Sequence, residues 1–98
     1  MPALTPPNRA AELQRLLAEL TGHTAAHVRP YGKHLLIQMQ RENSLDTVAR
    51  LTESARNNYL AAFRTHSGRW EPLPAAGNMR EVAEAVVSML APYLDPNM

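Results

Sequence analysis

The stretch His34-Leu35-Leu36-Ile37-Gln38-Met39-Gln40 decides the fold. Leu35, Ile37 and Met39 stand two residues apart, a spacing that a strand gathers onto one face and a helix scatters. Toward the C-terminus, Thr47 to Glu53 and Tyr59 to His66 read as two further strands. Arg56-Asn57-Asn58 suits the turn between them, because asparagine tolerates positive φ. Ser67-Gly68 makes a second tight turn, and Arg69 to Leu73 returns as a short edge strand. Pro72 and Pro74 cannot donate to a ladder, which confines that segment to an edge. Upstream, His27 to Pro30 before Tyr31-Gly32 allows one more brief strand.

Helical spacing flanks this middle third. Leu13, Leu16, Leu17 and Leu20 follow the i, i+3, i+4, i+7 rule and form one stripe. Thr5 or Asn8 can cap that helix at its start, and Gly22 stands where a left-handed cap ends it. Asn78-Met79-Arg80-Glu81 has the form of a capping box. Val82, Val86, Met89, Leu90 and Tyr93 then recur at helical spacing, with Pro92 ending or kinking the helix near Ala91. The expected architecture is a small single α+β domain: a helix, a three- or four-stranded antiparallel meander sheet, and a helix. Residues 8–94 form the domain, residues 1–7 are read as a flexible N-terminal segment, and residues 95–98 as a frayed end.

Composition narrows the function classes. The 98 residues are 45% hydrophobic and 19% charged, too apolar for a chain disordered throughout. No cysteine is present, which removes disulfides, zinc fingers, iron–sulfur sites and a thiol nucleophile. No apolar run approaches the roughly 18 residues of a membrane span, and Met1 to Pro7 lacks the pattern of a signal peptide. A cytoplasmic protein is expected. Formal net charge is only +1, but it is unevenly spread. Between residues 27 and 70, Arg29, Lys33, Arg41, Arg50, Arg56, Arg64 and Arg69 outnumber Glu42, Asp46 and Glu53. After residue 70, Arg80 faces Glu71, Glu81, Glu84 and Asp95, so the sheet is basic and the second helix acidic.

The alternation also sorts the sheet faces. Leu35, Ile37, Met39, Ala49, Leu51, Tyr59, Ala61 and Phe63 share the side expected to meet the helices. His34, Leu36, Gln38, Val48, Arg50, Thr52, Leu60, Ala62, Arg64 and His66 fall on the other. That second face has an apolar centre where a wet antiparallel sheet should be polar. Either the helices cover both faces, or both lie on one and the other docks a partner.

No catalytic constellation emerges. His23 and His27 are four apart but follow Gly22, outside the helix, and no carboxylate lies near enough in sequence to complete a zinc set. His66-Ser67 lacks the Gly-x-Ser-x-Gly elbow of a serine nucleophile. Glu81 and Glu84 suit the positive end of a helix dipole. The four glycines form no phosphate-cradling loop. Trp70 either closes one end of the core or anchors an interface. Helix, three strands, helix is also the element order of double-stranded RNA-binding domains, whose second helix opens on lysines. Asn78-Met79-Arg80-Glu81 stands there instead, so no family is identified.

The sequence therefore leads to a non-enzymatic interaction module without cofactor or metal. It is expected to be a homodimer through a sheet face or edge strand, with Leu36, Leu60, Arg64, His66 and Trp70 in the contact. The alternative is nucleic-acid binding by the basic sheet through Arg41, Arg50, Arg64 and Arg69, marked by steep salt dependence.

Overall fold

A computed structural model describes residues 8–95. The capping and flexibility expected of residues 1–7, and the fraying of residues 96–98, lie outside that range. The helix α1, Arg9–Thr21, starts where Asn8 accepts a hydrogen bond from the Ala11 N–H at 3.0 Å. It ends on Gly22, whose φ of 81° is the left-handed cap expected there and whose N–H reaches the Ala18 carbonyl at 2.9 Å. Leu13, Leu16 and Leu17 are buried along its stripe.

Five strands follow, one more than the upper limit read from the sequence: β1 Ala26–Tyr31, β2 His34–Arg41, β3 Ser44–Ala55, β4 Asn58–Arg64 and β5 Trp70–Gly77. Each pairs antiparallel with its neighbours in the order β1-β2-β3-β4-β5. The fifth strand also separates this order from that of the double-stranded RNA-binding domains. The last strand is eight residues long despite Pro72 and Pro74, because it lies at the sheet edge and needs donors on one side only. Two-residue loops at Gly32-Lys33, Glu42-Asn43 and Arg56-Asn57 join the first four strands, and Asn57 takes the positive φ its residue type favours, 58°.

The helix α2, Met79–Met89, opens with the reciprocal capping box expected at Asn78 and Glu81. After Met89 the chain tightens into a short 3₁₀ turn, Ala91–Leu94, with Pro92 in its first positions, so Tyr93 leaves the helical stripe and is exposed. α1 packs on β1 and on α2, and α2 packs on β4 and β5. The two helices leave opposite edge strands and meet over the same face. Their stripes join Leu35, Ile37, Met39, Ala49, Leu51, Tyr59 and Ala61 in one buried cluster.

One face assignment changes. Simple alternation groups Val48 with the uncovered face, yet it is buried in this cluster. Gln38 pairs with Thr47 while Ile37 pairs with Ala49, so Val48 is the extra residue of a β-bulge. The bulge breaks the two-residue alternation and turns Val48 into the core.

Candidate interaction surface

Residues paired across an antiparallel ladder share a face, and the register therefore defines the uncovered one. One row crosses all five strands through Tyr31, His34, Thr52, Leu60 and Ala76. The next runs through Arg29, Leu36, Arg50, Ala62 and Pro72. The pair Arg64–Trp70 closes one end. Leu60 is 46% exposed and Tyr31 66%, whereas Tyr59 and Ala61, on either side of Leu60, are buried. Leu60 is thus open to water, and with the half-buried Leu36 and Ala62 it flanks Arg50 and Thr52 of the central strand.

Its charge is one-sided. Glu12, Glu19, Glu81 and Glu84 lie on the helices, Glu42 in a turn, and Asp95 beyond the 3₁₀ turn. Asp46, Glu53 and Glu71 pair across the ladders with Met39, Tyr59 and Phe63, so they point to the helix side. No carboxylate stands on the open face among the described residues. On the helix side three arginines have a carboxylate partner, Arg9 with Glu53, Arg41 with Asp46 at 3.4 Å and Arg80 with Glu19 at 3.6 Å, while Arg15 of α1 has none among the described residues. Among the described residues Arg29, Arg50 and Arg64, the arginines of the open face, have no such carboxylate.

Two of them converge on the tryptophan. The guanidinium carbon of Arg50 lies 4.4 Å from the centre of the Trp70 ring, and that of Arg64 lies 5.6 Å from it. Both distances fall within the reach of a cation–π interaction. Arg50 Nε is buried and donates to no acceptor among the described residues. Such an orphan donor costs about 1–3 kcal/mol.

His34 sits in the adjoining row, its Nδ1 2.8 Å from Thr52 Oγ1. Burial, then the Arg50 and Lys33 cations, hold its imidazole below the ordinary value. The unfolded chain therefore takes up this proton first as pH falls through about 6.5, and stability declines there. His34→Gln keeps a partner for Thr52 but cannot be charged. Thermal melts from about pH 8 to pH 5 should show wild type losing melting temperature relative to H34Q. Parallel curves would mean that the imidazole is not held neutral by this face.

The residues singled out from the sequence divide into three groups. Leu36, Leu60, Arg64 and Trp70 do share the open face, together with Arg50. Trp70 belongs to the arginine stack and not to the buried cluster, so it does not close the core. His66 lies past the end of β4, in the turn to β5. It lines a cleft at the sheet end with Arg41, Phe63, Arg64, Leu90 and Tyr93. Arg41 is turned to the helix side, where it donates to the Tyr93 carbonyl at 2.6 Å. Arg69 sits in the β4–β5 turn, its N–H bonded to Thr65 Oγ1 at 3.2 Å. Of the four arginines expected to hold nucleic acid, Arg50 and Arg64 share the open face, Arg41 and Arg64 line the cleft, and Arg69 lies in the turn beside them. Arg29 and Tyr31 join the face without having been singled out, although His27, Arg29 and Tyr31 alternate with Ala26, Val28 and Pro30.

The sheet edges offer little for strand addition. The Val28 N–H of β1 donates to Gln14 Oε1 at 2.9 Å, away from β2. Pro30, two residues on, faces the same way with no N–H to give. At the other edge β5 lacks donors at Pro72 and Pro74.

Among the described residues no group of three histidines or carboxylates could hold a metal ion, and no helix is long and apolar enough to cross a membrane. Ser67 Oγ lies 2.9 Å from Thr65 Oγ1. His23 Nδ1 accepts the Ala25 N–H at 3.2 Å. No family model, curated protein or solved structure matches the chain.

Proposed function

We propose that the protein is a non-enzymatic interaction module that takes up another polypeptide on the open face of its sheet. The observation that carries this reading is the placement of both helices on one side. It leaves Leu60 exposed and Leu36 and Ala62 half-buried on a face that also carries arginine and tryptophan, a composition typical of binding surfaces. Pairing through an edge strand is the weaker route, because Gln14, Pro30, Pro72 and Pro74 remove or occupy edge donors. A second copy of the chain is one candidate occupant. A two-fold face-to-face contact would bring together arginine-bearing surfaces that carry no carboxylate among the described residues, which disfavours it.

Photo-crosslinking tests the surface while the partner is still unidentified. A benzophenone amino acid in place of Leu60, irradiated in the producing cell, should give adducts of discrete mass. The same group in place of Glu84, on α2, should not. No adduct from position 60, or the same adducts from both positions, would defeat the proposal. An adduct of twice the chain mass would identify a second copy as occupant.

A further inference from the structure

We infer that the partner of the open face is an acidic polypeptide segment carrying apolar side chains, its carboxylates received by Arg50 and Arg64 beside Trp70. This rests on the docking reading above and adds the chemistry of the occupant. Three observations support it.

The first is charge. Arg29, Arg50 and Arg64 share a face that carries no carboxylate among the described residues, while on the helix side Arg9, Arg41 and Arg80 each have one within ion-pair distance and Arg15 shares its helix with Glu12 and Glu19. Cations that a fold leaves unmatched on one surface favour an anionic partner and repel a cationic one. The second is preparation. Trp70 holds Arg50 and Arg64 over one ring, so two flexible side chains are already ordered before a ligand arrives. Ordering in advance reduces the entropy lost on binding. Guanidinium forks then suit carboxylates in a bidentate manner.

The third observation separates a polypeptide from a nucleic acid, which shares the negative charge. Single strands are held by stacking bases on free aromatic rings. Here the Trp70 ring is engaged by two guanidinium groups, and Tyr31 stands at the end of an edge strand. Around Arg50 and Thr52 on the central strand the face carries aliphatic side chains, Leu36 on one side and Leu60 and Ala62 on the other, with Pro72 and Ala76 beyond them. Leucine and alanine have no use for a base or a phosphate but bury apolar side chains. Five strands at about 4.8 Å spacing make a face roughly 20 Å wide, enough for one helix or extended segment to lie across it.

Trp70 is the only tryptophan and reports from within the site. The intact chain is titrated with a tryptophan-free peptide of about 20 residues, long enough to cross the sheet. The peptide has leucines at i, i+3, i+4 and i+7 and glutamates elsewhere. Saturable change in Trp70 emission is expected, weakening from about 50 to about 500 mM salt as charge is screened. Arg50→Gln combined with Arg64→Gln should weaken binding roughly tenfold or more. The lysine version of the peptide should bind more weakly still.

Equal binding of the glutamate and lysine peptides, with loss of both in Leu60→Glu, would overturn the acidic preference while leaving docking intact. Binding of an oligothymidylate but neither peptide would assign the face to nucleic acid and overturn the inference. A wild-type mass of two chains by light scattering, falling to one in L60E, would give the face to a second copy, with the same result. Loss of the crosslinks from position 60 is the separate failure that removes the docking reading itself. Thermal melts of each variant exclude unfolding as the cause.

Discussion

Replacing Ile37 by alanine is expected to lower the folding free energy by about 2–5 kcal/mol, while the same change at Leu60 costs about 1 kcal/mol or less. Both residues are aliphatic and both lie on inner strands, but the alternation assigns Ile37 to the face under the helices and Leu60 to the other. Ile37 has no exposed surface and sits in the cluster under the helices, paired with Ala49 and Val28. Its truncation removes transfer energy and leaves a cavity that α1 and α2 can only partly close. Leu60 keeps 46% of its surface in water and has Thr52 and Ala76 as neighbours across the ladders. A domain of this size has about 5–15 kcal/mol in total, so the Ile37 variant should melt roughly 10–30 °C lower. Chemical denaturation with unchanged m-value would confirm that stability, and not compactness, has moved. Comparable losses at the two sites would mean that the second face is covered after all, and the interaction surface would then be part of the core.

Much of this architecture is legible without coordinates. Four leucines at helical spacing, the Asn78–Glu81 box and the Leu35–Ile37–Met39 alternation each express a local rule that tertiary structure had no reason to override. The departures have local causes too. Pro30 and Gly32 make β1 look like a brief strand at most, yet as an edge it needs donors on one side only, and Gln14 takes up the Val28 N–H that faces outward. Pro72 and Pro74 make β5 look shorter than it is for the same reason. Val48 falls on the wrong face because a bulge is invisible to a two-residue period. The face is legible where alternation holds, at Leu36, Leu60, Arg64 and Trp70, and obscure at the hairpin ends, where Arg41, His66 and Arg69 turn away. That the helices share a side is undecidable from periodicity. It follows from which edge each helix leaves and at what angle, and residue type controls that angle at only a few positions.

Gly77 is one of them, and Gly77→Ala is expected to cost about 2–4 kcal/mol although it adds a single methyl group at the surface. The residue ends β5 with a φ of 145°, a backbone conformation that side chains rarely permit, and Asn78 immediately caps α2. A Cβ here would lie 2.5 Å from Glu81 Oε1. That oxygen accepts the Asn78 N–H at 3.0 Å, while Asn78 Oδ1 accepts the Glu81 N–H at 2.9 Å. The carboxylate can swing away, but only by abandoning its half of the capping box, so the methyl group combines backbone strain with a lost cap. A double-mutant cycle divides the two. Glu81→Ala alone should cost about 0.5–1 kcal/mol, and adding it to G77A should cost less than the sum, because the clash has lost its partner. What remains in the double variant is the strain of φ. Strict additivity would place Glu81 outside the effect, and a G77A stability within about 0.5 kcal/mol of wild type would show that the junction tolerates a side chain. In either case the direction of α2, and with it the reason one face of the sheet is left open, would have to be sought in the packing of Val82, Ala83 and Val86 instead.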